Sequence, residues 1–390
     1  MKKIAFVIPQ FGKEFLGGSE KYAELLAYHN KRNFEITILT TKSSDHTTWV
    51  SSGDLNSGFQ DGIKVLRFPV DQPRHVVLFN QLTNELLQNI VQDKEKEQKW
   101  IRNYGPYSTE LLEFLANNRS NYDVFIFFGY NHSLTYFGLP IVKKKAILIP
   151  FAHLEPTLQF KLYNKVFSSP MAIAAGTNAE IKIIKDRFSN LPTIHKLGIG
   201  SILSPIYKKK PNIFPNIKKP YILYIGRVEK NKGIFDLCSY FSEYKKRFTN
   251  NLTLVIVGKQ YDRIPKGKYI NYLGIVGDQE KQYLIENCEL LINPSFYESL
   301  SLTLFEAWQQ SKSVLVNGLS EVLRAQVTEA NGGLFYKNEK EFSVMLDWLI
   351  NHPKEKNVFG KQGKSYLKQN YSWKAVKAKF ESLINACSRK

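Results

Sequence analysis

Residues 275–308 read IVGDQEKQYLIENCELLINPSFYESLSLTLFEAW. A helical pattern over 278–288 gives way to the apolar run ELLINPS at 289–295, and a second helical pattern follows at 300–311. A short, nearly continuous apolar strand between two helices is how a strand buried on both faces of a parallel sheet reads. The flanking helices are then the crossovers that cover it. The same alternation continues on both sides: YILYIGR (221–227), a helix over 233–248, LTLVIVGK (252–259), YINYLGI (269–275) and, downstream, SVLVNG (313–318).

Ahead of this unit lies KKKPNIFPNIKKP, with prolines at 211, 215 and 220, a composition that suits a linker. Before the linker the alternation has already run once. KIAFVIP (3–9), FEITILTT (34–41), GIKVLRFPV (62–70), DVFIFFG (123–129), AILIPFA (146–152) and AIAAGTN (172–178) read as buried strands. Between the first two, SEKYAELLAYHNKR places Tyr22, Leu25, Leu26 and His29 on one helical face. Residues 70–120 carry no clear pattern. The expected fold class is therefore α/β, with two Rossmann-like domains facing each other across a cleft and ligands at the carboxyl ends of the strands. The expected divisions are a first domain over 1–205, a linker over 206–220, a second domain over 221–370, and a final helix over 371–390. That helix, capped by Ser372, is expected to pack back on the first domain.

Composition narrows the function. Of 390 residues, 43% are hydrophobic and 13% aromatic, so a packed core is within reach and a disordered chain is excluded. Three scattered cysteines are too few for a disulfide framework or a zinc site and point to a reducing, cytoplasmic setting. The opening MKKIAFVIPQFGKEF has an apolar run of only about six residues, short for a secretory signal, and reads as a first strand. No apolar stretch reaches the length of about 18 that suggests a membrane span. Lys and Arg number 54 against 35 Asp and Glu, a formal net charge of +19. Up to residue 205 there are 24 basic and 18 acidic side chains; beyond it there are 30 and 17. Neither basic cluster, at 143–145 and at 208–219, has the aromatic interleaving or arginine bias of a nucleic-acid surface, so nucleic acid is not an expected partner.

Three segments stand where chemistry is expected. Gly17-Gly18-Ser19-Glu20 joins the first strand to the first helix; two glycines let backbone approach a ligand, and Ser19 is placed to cap the helix, although a plain capped turn reads the same way. In 226–233, Arg227 offers a fork of donors for phosphate oxygens, Lys232 a point charge five positions on, and Gly233 opens a helix whose dipole favours an anion. Solvated loop charge is the ordinary alternative, against which the strand-end position counts. The third segment has Glu298 in a loop and Glu306 eight positions later inside an apolar helix, where a carboxylate needs a partner.

In this order the segments resemble the nucleotide-sugar glycosyltransferases of the GT-B fold, family 4 in particular. The likeness rests on the Gly-Gly loop, the G-R-x(4)-K stretch at 226–232, the Val257-Gly258-Lys259 block and the E-x(7)-E signature, and it runs over nearly the whole chain. It implies a retaining transfer of a sugar from a nucleoside diphosphate sugar, UDP- or GDP-linked. The acceptor would be a glycan or lipid-linked molecule in cell-surface polysaccharide or glycoconjugate synthesis. By the same resemblance Arg227 and Lys232 hold the diphosphate, Glu298 meets sugar hydroxyls, and Glu306 meets the ribose. Gly17 and Gly18 present backbone near the transferred sugar, and Val276, Ser299, Leu300 and Ser301 complete the donor pocket. His153, at a strand end in PFAHLEP, falls where the family places a histidine beside the sugar.

No pair of the eleven aspartates stands two apart, so no D-x-D motif is present to hold a divalent ion. No metal and no separate cofactor are expected. Arg227, Lys232 and helix N-termini are left to stabilise the leaving diphosphate, in a front-face mechanism. Departures from the family pattern are Ser299 and Ser301 where glycines are common, Trp308 for a smaller residue, Gln310-Ser311-Lys312 for a glycine-containing turn, and 197–201 without an aspartate. A non-catalytic partner subunit of the same fold and a sugar-nucleotide epimerase remain as other readings. The lysines at 143–145 are expected to draw the protein to the anionic inner face of the membrane.

Overall fold

The computed structural model describes residues 1–15, 17–88, 93–200, 217, 219–265 and 267–388. The chain forms two compact units, one made of Met1–Ile199 with Trp373–Lys390 and the other of Gly200–Ser372. The stretch expected as a linker lies outside the described residues except at positions 217, 219 and 220.

Unit 1 is built on eight strands: β1 (Lys2–Val7), β2 (Phe34–Thr41), β3 (Gly58–Gln60), β4 (Ile63–Phe68), β5 (Val124–Phe128), β6 (Ala146–Ile149), β7 (Ala172–Ala175) and β8 (Thr193–Lys196). They lie in the order β3-β4-β2-β1-β5-β6-β7-β8. Every pairing is parallel except that of β3 with β4. The apolar runs read from sequence fill its middle: every residue of β5, β6 and β7 is buried, as two covered faces require. Three strands of unit 1 and unit 2 escape a reading by apolar run. Gly58–Gln60 and Thr193–Lys196 are edge strands with no buried residue, and Gly333–Tyr336 contains a glycine.

The unpatterned 70–120 region is helical, with helices at Val76–Gln88, Lys94–Tyr104 and Thr109–Asn117. Each buries a pair of apolar residues, Leu82 with Leu86, Trp100 with Ile101, and Leu111 with Leu115, an amphipathic pattern that the reading by apolar run passes over. The final helix, Trp373–Cys387, belongs to unit 1, as expected. Phe380 packs edge-on against Phe6 and Phe34, Trp373 stacks on His29, and Lys2 Nζ donates to Asn385 Oδ1 at 2.7 Å. Among the described residues no helix is long and apolar enough to cross a membrane. Of the basic triplet, Lys143 and Lys144 are exposed, while Lys145 donates to the carbonyls of Arg119 and Tyr122.

Unit 2 has six parallel strands in the order β11-β10-β9-β12-β13-β14. They are β9 (Tyr221–Ile225), β10 (Thr253–Val257), β11 (Ile270–Tyr272), β12 (Leu291–Asn293), β13 (Val314–Asn317) and β14 (Gly333–Tyr336). The opening stretch folds as read, with helix Asp278–Asn287, then β12, then helix Leu302–Gln309. Trp308 is fully buried and its Nε1 donates to the Gly332 carbonyl at 2.9 Å. A Cβ at Gly332 or Gly363 would strike its ring, so two glycines make the room that this large side chain needs. The turn after that helix has no glycine, and Ser311 takes the left-handed conformation in its place, with φ +56°.

Candidate active site

The carboxyl ends of β9 and β12 bring two of the expected site residues together. After β9 the chain runs through Gly226 and Arg227 into a short turn at Lys230–Lys232, then enters helix Ile234–Arg247 at Gly233. Gly233 sits at φ +69°, and a Cβ there would stand 2.1 Å from the Pro294 carbonyl oxygen. Glycine is therefore required on both counts, and its absence of side chain lets the β9 loop press against the β12 loop. Across that contact Lys232 Nζ reaches Glu298 Oε1 at 2.8 Å, with the two side chains 23% and 16% exposed. Arg227 pairs with Glu229 at 3.1 Å. Its carbonyl accepts the Tyr224 hydroxyl at 2.7 Å. Burial, with the charge of Glu298 close by, pushes that hydroxyl well above its ordinary value, so Tyr224 stays a neutral donor fixing the loop.

Glu306 lies on the buried side of helix Leu302–Gln309, and its carboxylate has the partner that burial demands. Lys281 Nζ, from helix Asp278–Asn287, donates to Glu306 Oε1 at 2.7 Å and lies 3.4 Å from Asp278. Burial pulls the Lys281 ammonium down, but the charges and hydrogen bonds of Glu306 and Asp278 outweigh it and hold the group above its usual value. Sequence reasoning passed over Lys281, because a pair 25 positions apart on two different helices has no local spacing to reveal it.

The loop between the glutamates is pinned from inside. Ser301 is buried; Asn293 Nδ2 donates to its hydroxyl at 3.0 Å, and its own N–H donates to Gln326 Oε1 at 3.1 Å. Its side chain thus ties the loop to β12, and its backbone N–H ties it to helix Glu321–Ala330. Leu300 is also buried, Ser299 is half-buried, and Val276 is half-buried beside the exposed Ile275.

In unit 1, Gly17 is the N-cap of helix Gly18–Asn30 and makes no side-chain cap. Ser19 does not cap the helix, contrary to expectation. It lies inside the first turn and donates to Glu20 Oε2 at 2.8 Å. A Cβ on Gly18 would meet nothing within 4 Å, so the protein's own packing does not demand a glycine at that position. His153 follows β6, with 23% of its side chain exposed. Behind it Glu180 is fully buried, accepting the N–H groups of Ala152 at 2.7 Å and Gly176 at 2.6 Å. Burial outweighs those two donors and raises its carboxyl to about 7. Among the described residues no group of three His, Cys, Asp or Glu side chains is placed to hold a metal ion.

Residues 206–366 match the family described as glycosyl transferases group 1. Among curated relatives, the alpha-monoglucosyldiacylglycerol synthase of Acholeplasma laidlawii is 26% identical over 43% of this chain and 44% of its own length. The N,N'-diacetylbacillosaminyl-diphospho-undecaprenol alpha-1,3-N-acetylgalactosaminyltransferase of Campylobacter jejuni is 25% identical over 66% of this chain and 64% of its own. The chain thus spans about half to two thirds of the length of these relatives. Among solved structures, sucrose-phosphate synthase of Thermosynechococcus elongatus superimposes with a TM-score of 0.75 at 14% identity, over 99% of each chain. HepE of Anabaena, in complex with UDP-glucose, gives 0.69 at 13% identity, over 98% and 99%. The chain therefore has a GT-B fold, and its residues 206–366 are similar to the family of glycosyl transferases group 1.

Proposed function

We propose that this glycosyltransferase takes a sugar from a UDP-sugar and transfers it, with retention and without a metal, to a glycan or lipid-linked acceptor in glycoconjugate synthesis, as a member of family 4. The observation that carries the reading is the Lys232–Glu298 pair at the carboxyl ends of β9 and β12, with Arg227 on the same β9 loop. Arg227 and Lys232 are both held by carboxylates that are partly open to water. Solvent reaches and screens part of each pair, so a diphosphate, which offers more negative charge than either carboxylate, can take both cations over. Once Lys232 turns to phosphate, Glu298 is released to accept from sugar hydroxyls, and donor binding and sugar recognition become one event.

The chemistry follows from charge. As the glycosidic bond breaks, the leaving nucleoside diphosphate gains negative charge, and preorganised Arg227 and Lys232 offset it. The leaving phosphate then accepts the proton of the acceptor hydroxyl on the same face, which retains the anomeric configuration. Glu306, already anchored by Lys281, presents its carboxylate for the ribose. Gly18 leaves the first turn of its helix open, and His153 stands beside the transferred sugar. The HepE complex with UDP-glucose supports a UDP donor, and the names of the two curated relatives support lipid-borne acceptors.

The test is a panel of nucleotide sugars offered to the purified protein, with released sugar followed by proton NMR. The expected result is hydrolysis of a UDP-sugar that first gives the donor's own anomer and is lost in Glu298→Ala. An inverted anomer removes the retaining mechanism; conversion of the donor into an epimer makes the protein an epimerase.

A further inference from the structure

Glu155 belongs to no motif in the sequence, yet it stands at the centre of a polar cluster at the carboxyl ends of β5 and β6. Its Oε1 accepts the hydroxyl of Tyr130, and its Oε2 lies 3.5 Å from His153 Nε2. On the other side of the imidazole, Nδ1 is 3.0 Å from the carbonyl oxygen of Phe151. A carbonyl oxygen only accepts, so Nδ1 carries a proton. An ionised carboxylate also only accepts, so Nε2 carries one too, and the imidazolium is the form of the ring that satisfies both neighbours. Phe151 delivers its carbonyl from a left-handed backbone conformation, φ +55°, which is strained for a residue other than glycine. Strain of that kind persists where its surroundings fix it, and it collects at functional sites.

We propose that Glu155, itself fixed by the Tyr130 hydroxyl, is a positioning residue that holds His153 as an oriented cation, a fixed positive charge offered to an anionic ligand. The groups around the ring are consistent with this. Burial pushes the Glu155 carboxyl up, but the charge and hydrogen bond of His153, with hydrogen bonds from Tyr130 and Thr157, bring it below the ordinary carboxylate value. It is therefore ionised at neutral pH. Tyr130 is fully buried and raised by burial and by Glu155, so it remains a donor. Glu180, from helix Asn178–Arg187, adds a second carboxyl near His153, raised by burial to about 7. His132, on the β5 loop, is lowered to about 3, first by burial and then by Arg74, and brings no charge of its own. The acids near His153 favour its protonated form, and the exposed part of the ring leaves the charge within reach of a ligand.

The proposal rests on the donor reading above for its purpose but not for its test. The full-length protein, labelled with carbon-13 in the histidine rings, is titrated by NMR, with the His153 signal assigned by its loss in His153→Gln. Its midpoint is expected above the ordinary value of about 6.5 in the unaltered protein. In Glu155→Gln it is expected to fall by about one pH unit or more, a tenfold change in the ionisation constant. Tyr130→Phe keeps the carboxylate and is expected to keep the raised midpoint, and unchanged signals from the five histidines away from the cluster, at positions 29, 46, 75, 195 and 352, report an intact fold. A midpoint at or below the ordinary value in the unaltered protein, or one that Glu155→Gln leaves in place, overturns the proposal. If His153 titrates as expected but no sugar nucleotide is turned over, the donor reading fails and this one stands. With activity present, the high-pH limb of the rate profile moves to lower pH in Glu155→Gln, because the active cation is lost sooner.

Discussion

Single residues in unit 2 divide between those that can meet a ligand and those that hold them. Lys232 and Glu298 are partly open to water, whereas Glu306 keeps only 7% of its side chain exposed and depends on Lys281. Replacing Lys281 by methionine strands a buried carboxylate. The expected loss is about 2 kcal/mol, below the 3–5 kcal/mol of a fully buried pair because Lys281 is 22% exposed. Adding Glu306→Gln to that variant removes the stranded charge and is expected to restore most of the loss. Urea midpoints of the two single variants and the double variant check this: equal destabilisation in Lys281→Met alone and in the double variant speaks against the pairing. At this scale spacing in the sequence singles out Arg227, Lys232, Glu298 and Glu306, and the structure adds that Lys232 and Glu298 are in contact. The sequence is silent where the partner comes from a distant element, as Lys281 does for Glu306, and Tyr130 for Glu155.

At the scale of elements, the loops at the carboxyl ends depend on contacts that leave no space for side chains. Gly233 is the sharpest instance, since a left-handed backbone and the Pro294 carbonyl exclude any other residue. Gly233→Ala combines roughly 1–2 kcal/mol of left-handed strain with an overpacking cost of about 1–3 kcal/mol. The expected result is a destabilisation of about 2–5 kcal/mol in denaturant unfolding, together with loss of donor binding in whatever fraction remains folded; a variant as stable as its parent contradicts the geometry. Elements also show where sequence patterns work. Strands β5 and β6 are uninterrupted apolar runs buried on both faces, and such runs are hard to misread. The helices at Val76–Gln88 and Lys94–Tyr104 each bury only two apolar residues, the first leaving Val77 and Leu87 exposed and the second being mostly polar, so neither shows as an apolar run. The glycine missing after helix Leu302–Gln309 is explained only by the backbone, where Ser311 itself adopts the left-handed turn.

For the molecule as a whole, two sheets, parallel throughout but for β3, and a final helix that returns to the first unit follow from the alternation of strands and helices. The net charge of +19 has little to do with that architecture. In the donor reading its useful part is two side chains, Arg227 and Lys232, each now shared with a carboxylate. The central claim is that these two cations receive a nucleoside diphosphate, and calorimetric titration with UDP of the unaltered protein and of Lys232→Ala tests it most directly. The account predicts saturable one-to-one binding without added divalent metal, weakened tenfold or more in the variant, about 1.4 kcal/mol or more. Binding of equal strength in the two proteins, or no binding of UDP, GDP or ADP by the unaltered one, contradicts it.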